Sequence, residues 1–190
     1  TILAEKGSLN FGDFALLQLT DPDSSIELIS AKFHEKTKVI NSVRARVNSG
    51  SVLAVNLLFD NELILLDDRI TVTNHGGSFL FEKDNKTNST KIKVLSNNAK
   101  ISLLDSKNNQ TFEGILLAGK EINFTDDLIT ALFTAQNEFT QIKIWKELVQ
   151  DFDSKFDGES QLISKILEKL SDSKKNIIST GLDALTEKML

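Results

Sequence analysis

The sequence predicts a mainly β protein with a helical C-terminal part, and three observations support this prediction. Between about Phe14 and Phe124, short apolar runs alternate residue by residue with polar positions and are separated by turn-forming residues. Near Thr125 the apolar residues change to spacings of three and four, which is the helical period. The length of 190 residues, with 40% hydrophobic and 26% charged residues, is typical of a folded domain with a helical extension.

The alternation predicts strands that place one face on a core and the other toward water. The predicted inward positions are Val43, Ala45, Val47, Phe79, Phe81, Ile92, Val94, Ile101 and Leu103. Two stretches, Ser51–Phe59 and Leu63–Leu66, lack the alternation and are predicted to be covered on both faces. Turn residues predict breaks at Asp21–Ser24, Asn48–Gly50, Asn74–Gly77, Asp84–Lys86, Ser96–Asn98 and Ser106–Asn109. The expected architecture is a two-layer β-sandwich or a short β-solenoid.

The C-terminal part begins with a helix start signal at Thr125–Asp127, where a hydroxyl or carboxylate can cap the first amides. One long helix is predicted from the apolar stripe Leu128, Leu132, Ala135, Phe139, Ile142, Trp145 and Val149. Apolar positions resume in Leu162–Leu170 and Ile177–Met189. We therefore predict an all-β domain over residues 1–125 and a helical region over 126–190. The stripe must pack on the later helices, on the β domain or on a second copy of the chain; the short loops favour the later helices, so we expect a helical hairpin or three-helix unit.

The composition excludes several classes of protein. A net charge of −5 argues against a general nucleic-acid or anionic-membrane binder. The chain contains no cysteine, which excludes disulfides, thiolate metal sites and cysteine nucleophiles and suits an oxidising compartment. The longest apolar stretch, Val52–Phe59, is far shorter than the ~20 residues of a membrane-spanning helix. The first residue is Thr1, which is consistent with removal of a signal peptide or an upstream anchor.

Motifs for catalysis or metal binding are weak. Asp151–Glu159 resembles a calcium loop, but Lys155 occupies a ligand position and the glycine comes too late, so we interpret it as a charged loop. His34 and His75 are isolated and have no cysteine to complete a zinc site. Nucleophile-elbow and phosphate-loop motifs do not occur. We assign no catalytic, cofactor-binding or metal-binding residue and expect no cofactor.

Two sets of charged residues are weaker candidates. Asp67 and Asp68 are a candidate carboxylate pair for a polysaccharide-active enzyme, although a turn before Ile70 explains them more simply. Basic residues at outward strand positions form a candidate surface for an acidic polymer, although a solvated sheet face is the default interpretation: Arg44, Arg46, Lys91, Lys93 and Lys100. No aromatic residue is interleaved with them, which argues against single-stranded nucleic acid.

The order of strands and turns between Val43 and Phe124 resembles the extracytoplasmic domain of the FecR family, regulators that relay iron–siderophore uptake to a sigma factor. The matching stretches are Ala45–Ala54, Arg69–Phe81, Lys91–Ile101 and Leu116–Ile122. Asn97 or Asn98 stands where the family has a hairpin glycine, and asparagine can adopt the same left-handed conformation. The helices of residues 126–190 replace the family's C-terminal receptor-contacting part. The resemblance implies an extracytoplasmic, non-enzymatic, FecR-like β domain.

The leading functional hypothesis is a non-enzymatic binding or interaction module of the bacterial cell envelope, located in the periplasm or at the cell surface. The alternative is a signal-relay domain, the periplasmic part of an anti-sigma-type regulator. The third hypothesis is a polysaccharide-active enzyme that uses Asp67 or Asp68. The expected partner is a protein or an envelope polymer, not nucleic acid, and the C-terminal helices leave a homo-oligomer open. The sequence does not identify the ligand.

Overall fold

The fold is mainly β with two helices at the C-terminal end of the described chain, which confirms the predicted fold class. A computed structural model describes residues 3–5, 7–12, 14–35, 40–105, 110–135 and 137–152. The strands are β1 (Leu3–Glu5), β2 (Ser8–Asn10), β3 (Ala15–Leu19), β4 (Ser25–Phe33), β5 (Ile40–Asn56), β6 (Glu62–Leu66), β7 (Ile70–Asn74), β8 (Gly77–Asp84), β9 (Ser89–Ser96), β10 (Asn98–Leu104), β11 (Gln110–Leu117), β12 (Lys120–Phe124) and β13 (Gln150–Asp151). The helices are α1 (Asp126–Thr134) and α2 (Glu138–Leu148).

The strands form one curled sheet with two halves that share β5. The first half has the order β11-β10-β7-β6-β5-β4-β1. The second half has the order β2-β3-β5-β8-β9-β12-β13. Among the described strands, β5 and β6 are the one parallel pair, and the other pairs are antiparallel. Most of the sheet is therefore built from antiparallel neighbours.

Strand β5 has 17 residues and passes from the first sheet half to the second at Gly50. Gly50 has a φ of +74°, and a Cβ at this position would lie 2.5 Å from the Ser24 Cα. The Ser24 hydroxyl also bonds the backbone of Ser51, accepting from its N–H and donating to its C=O, at 2.8 Å each. The predicted turn at Asn48–Gly50 is therefore wrong. The glycine supplies a bend within a continuous strand, because it tolerates positive φ where other residues are strained.

The predicted inward residues form the core. Each is at most 1% exposed, and together they belong to one hydrophobic cluster with members from both sheet halves: Val43, Ala45, Val47, Phe79, Phe81, Ile92, Val94, Ile101 and Leu103. Residues Val52–Asn56 are buried on both faces, as predicted. The prediction extended too far at its end, because β5 stops at Asn56 and Phe59 is exposed. The period-two pattern thus placed most core residues on the correct face.

The predicted long helix is two helices. The Asn137 side chain caps α2 by accepting a hydrogen bond from the Thr140 N–H at 2.9 Å. The Gln141 side chain then bonds the Leu132 carbonyl near the end of α1, at 3.0 Å. Because the apolar stripe is interrupted, Phe139 and Ile142 lie exposed. An asparagine side chain that bonds the backbone competes with helix continuation, which explains the break.

Trp145 packs on the sheet, which corrects the prediction that its stripe packs on the later helices. Its ring centroid lies 5.2 Å from that of Phe112 on β11 and 6.3 Å from that of Phe124 on β12. It therefore contacts the last strand of the first half and a strand of the second half, and Ile129 and Leu132 of α1 join the same cluster. The predicted later helices, Leu162–Leu170 and Ile177–Met189, lie outside the described residues, so the hairpin or three-helix unit and the division into 1–125 and 126–190 stay predictions.

Candidate functional site

The outer face of the first sheet half carries a groove, called here the outer groove. On β5, β6, β7 and β10, the residues that alternate with core positions point away from the core. The strand register aligns them in two rows across the sheet: Arg44, Ile64, Thr73 and Lys100 in one, and Arg46, Leu66, Thr71 and Ser102 in the other. These residues, with Leu104 and the turn residues Asp67 and Asp68, line a volume of about 560 Å³.

The residues at the floor of the outer groove are more buried than is usual on the solvent-facing side of a sheet. Leu66, Thr73 and Ser102 are only 4%, 8% and 7% exposed. Among the described residues, no partner bonds the side-chain hydroxyl of Thr73 or Ser102. Small hydroxyl residues between long basic side chains thus form a recessed polar floor that can still donate and accept hydrogen bonds.

Three cations border the outer groove, and their pairing differs. Arg46 forms an ion pair with Asp68, and the Lys100 Nζ lies 3.3 Å from the Glu113 Oε2. Within the described part of the chain, the Arg44 guanidinium has neither a hydrogen bond nor an ion pair. Because solvent-exposed pairs contribute little free energy, Arg46 and Lys100 can exchange their present partners for a ligand at small cost.

Asp67 closes the turn between β6 and β7. Its Oδ1 accepts hydrogen bonds from the N–H groups of Arg69 and Ile70, at 2.8 Å each. Its Oδ2 accepts a hydrogen bond from the Thr90 hydroxyl at 2.5 Å and lies 3.5 Å from the Lys83 Nζ. The carboxylate is buried and joins the turn to β8 and β9 of the other sheet half. Asp67 therefore has a structural role, and its neighbour Asp68 is the exposed partner of Arg46.

A second depression, of about 830 Å³, adjoins the outer groove and shares Arg46 and Asp68 with it. Its wall includes Asp126, the first residue of α1, which pairs with Arg69. The Asn88 Nδ2 lies 3.1 Å from both Asp126 oxygens. These hydrogen bonds, first from Arg69 and then from Asn88, hold the pKa of the Asp126 carboxyl below its ordinary value. The network attaches the start of α1 to the β6–β7 turn, which borders the groove, and to the β8–β9 turn, which does not.

The outer groove continues as an apolar surface to the edge of the sheet. β11 is the last strand of the first half, and Ile115 on it is the register partner of Lys100. Ile115 and Leu117 are 60% and 57% exposed. This aliphatic pair offers exposed apolar area beside the cations that border the groove.

The predicted basic stripe does not form one patch. All five members occupy outward strand positions, but the structure separates them between the two sheet halves. Arg44, Arg46 and Lys100 border the outer groove, whereas Lys91 and Lys93 lie on β9 in the second half. The Lys91 Nζ there lies 3.0 Å from the Glu121 Oε2. Strand order, which the sequence pattern did not reveal, decides which outward residues are neighbours.

The other candidates from the sequence do not line the outer groove. His34 follows β4 and His75 lies in the turn after β7, and both are exposed. In the described ranges, no three His, Cys, Asp or Glu side chains come together in a way that could hold a metal ion. The same ranges contain no helix that is long and apolar enough to cross a membrane. Most of the predicted loop at Asp151–Glu159 lies outside the described residues.

Sequence reasoning did not find Thr73 and Ser102 as candidate binding residues. The sequence offered one indication, their position: each is a hydroxyl residue at an outward-facing position of an alternating strand. That signal is weak, because threonine and serine are common on solvated strands. Only the register that places Thr73 beside Lys100 and Ser102 beside Thr71 reveals the shared floor.

No family model matches the sequence, and comparison with curated proteins finds no match. Two crystal structures of proteins provisionally described as anti-sigma factors, from Parabacteroides distasonis ATCC 8503, are similar in fold. The structure at 1.65 Å resolution has a TM-score of 0.52 and 11% identity, over 78% of this chain and 57% of that chain. The structure at 2.50 Å has a TM-score of 0.51 and 13% identity, over 80% of this chain and 57% of that chain. The chain thus spans little more than half the length of these structures, and identities this low show a shared fold alone.

Proposed function

We propose that this chain is a non-enzymatic binding domain of the bacterial cell envelope, exposed outside the cytoplasm, that contacts a protein partner through the outer groove. The observation that carries the proposal is a set of groove-lining polar groups that lack protein partners in the described chain: Arg44, Thr73 and Ser102. The Thr73 and Ser102 hydroxyls are accessible from the groove, so they can bond a ligand together with the Arg44 guanidinium. The aliphatic surface beside the groove suits a protein partner.

A second candidate function is the signal-relay domain of an anti-sigma-type, FecR-like regulator. The fold shared with the Parabacteroides distasonis structures favours this candidate. A fold by itself does not determine a function, so the relay role depends on the partner. The two candidates use the same surface and differ in consequence, because only the relay candidate predicts a change in transcription when binding is lost.

Site-specific photo-crosslinking in cells of the source organism tests the binding function. A photoreactive phenylalanine analogue replaces Ile115 beside the groove, and the same analogue replaces Lys86, an exposed residue of the β8–β9 turn, as the control. We expect a defined crosslinked protein at position 115 and none at position 86. Equal crosslinking at both positions, or none at either, would contradict a specific partner at the groove.

Transcript profiling separates the two candidates. Under the relay candidate, Arg44→Gln changes the transcription of genes controlled by one sigma factor in the same direction as deletion of the gene. Lys86→Gln removes the same charge from the β8–β9 turn and should leave transcription unchanged. If deletion alters no sigma-factor-dependent genes, the relay candidate is wrong and the binding function stands alone.

The non-enzymatic part of the proposal has its own test. The chain should release no product from a panel of glycans, with chromatography as the readout. Asp68→Ala provides the control variant, since Asp68 is exposed and the fold does not depend on it. Product release by the natural chain that is lost in this variant would revive the enzyme hypothesis.

A further inference from the structure

We infer that the outer groove binds an extended peptide segment that carries both carboxylate and aliphatic side chains. This inference rests on the proposed function and names the chemistry of the partner. The partner segment is expected to contribute carboxylates toward Arg44 and the groove floor, and aliphatic side chains toward Ile115 at the edge of the sheet.

The first argument is the state of the floor. Thr73 and Ser102 are both more than nine-tenths buried and line the groove, and no residue of the described chain bonds their hydroxyls. Both hydroxyl oxygens remain accessible from the groove, so a ligand lying in it can bond them. Each hydroxyl can donate one hydrogen bond to an oxygen acceptor. The floor is therefore suited to accept an oxygen-rich group.

The second argument is charge. The planar guanidinium of Arg44 is without a partner in the described chain and matches a carboxylate through two parallel hydrogen bonds. The other two cations already hold carboxylates, Arg46 that of Asp68 and Lys100 that of Glu113. Of the three cations that border the groove, Arg44 is thus the one without a carboxylate partner in the described chain, and a carboxylate of a ligand can pair with it.

The third argument concerns the apolar residues between these polar groups. Ile64 separates Arg44 from Thr73 in one row, and Leu66 lies beside Arg46 in the other. The exposed Ile115 and Leu117 continue this aliphatic surface to the edge. No groove-lining residue is aromatic. A surface of mixed cations and aliphatic groups complements a peptide with mixed side chains better than a uniformly charged acidic polysaccharide.

Fluorescence anisotropy with the full chain tests the inference. The probe is an octapeptide of Asp and Val, labelled with fluorescein at its N-terminus and amidated at its C-terminus. Arg44→Gln should weaken binding about tenfold or more, because it removes a charged hydrogen-bond donor. Thr73→Val, which keeps the side-chain shape, should also weaken binding severalfold. Lys86→Gln is the matched control for lost charge, and binding should be unchanged.

Three further outcomes would overturn the inference. The first is equal affinity for the octapeptide in which Asn replaces Asp. The second is tighter binding of an octamer of galacturonic acid, which would assign the groove to an acidic polysaccharide. The third is no binding of the Asp–Val probe by a chain whose circular dichroism is native. If photo-crosslinking at position 115 succeeds while the probe fails, the binding function stands and only the acidic-peptide chemistry is wrong.

Discussion

The indole ring of Trp145 lies 5.2 Å from the ring of Phe112, tilted by 42°, and packs directly over Gly114 of the same strand. Phe112 and Gly114 of β11 thus form the surface on which the one tryptophan of the chain packs. The glycine matters because any side chain at its position would occupy the space of the indole ring. Trp145 joins α2 to the sheet and contributes to the core that both sheet halves share.

Gly114→Ala should destabilise the protein by about 1–3 kcal/mol, the usual cost of overpacking a core. The new Cβ would lie 2.8 Å from the Trp145 Cε2, so the ring must move. We expect a lower unfolding midpoint in urea and a red-shifted tryptophan emission. Phe139→Ala is the control, since Phe139 is 79% exposed and its loss should cost less than about 0.5 kcal/mol. Unchanged emission in Gly114→Ala would show that the ring is not seated there.

Gly50→Ala should cost more stability than Gly119→Ala. Both glycines have positive φ, +74° and +79°, so both variants incur backbone strain of roughly 1–2 kcal/mol. Only at Gly50 does the new Cβ approach another residue, Ser24, at 2.5 Å, while nothing lies within 4 Å at Gly119. The free energies of unfolding of the two variants are measured in urea. Because both variants share the strain, their difference gives the cost of the clash at Gly50. Equal costs would mean that the contact with Ser24 does not constrain the bend in β5.

Asp67→Ala should destabilise the protein by about 3–5 kcal/mol, the range for breaking a buried ion pair. The substitution leaves Lys83 buried without its partner and removes the acceptor of two turn N–H groups. Asp68→Ala is the matched control in the same turn, and losing its exposed pair with Arg46 should cost less than about 1 kcal/mol. Chemical denaturation measures both. A similar small cost for both variants would argue against the structural role of Asp67.

The lowered pKa of Asp126 predicts a pH-dependent contribution to stability. A carboxyl whose pKa is lower in the folded state stabilises it above the unfolded-state value, and this contribution is lost as the pH falls through the folded-state value. The ordinary value is 3.8, so the window lies at and below that pH. The stability difference between the natural chain and Asp126→Asn should therefore be present near neutral pH and shrink in acid. Thermal unfolding across this range checks it, and a constant difference would contradict the linkage.

Local chemistry was enough to predict several features. The alternation around Val43, Phe79 and Ile92 identified the buried face, because strand side chains alternate whatever the strand order is. Asn97 takes a φ of +64°, as expected for an asparagine that replaces a hairpin glycine. α1 starts at Asp126, after Thr125, as predicted, although the Thr125 side chain makes no capping hydrogen bond.

Other features depended on contacts between residues far apart in sequence. For these, the sequence interpretation was wrong or made no prediction. Asn48–Gly50 has the composition of a turn, but pairing with β4 on one side of Gly50 and β8 on the other keeps β5 continuous. Trp145 lies on an apolar stripe that fits a helical bundle equally well, and the space above Gly114 decides its partner.

The sequence by itself determined the fold class, the inward face of most strands and the point where strands give way to helices. These depend on period and propensity, which act over a few residues. Tertiary structure alone decided that Arg44, Thr73, Lys100 and Ser102 share one groove while Lys91 and Lys93 lie in the other half of the sheet. The physical reason is that side-chain neighbours across a sheet are set by strand order and register, which follow from long-range pairing and not from the spacing of residues along the chain.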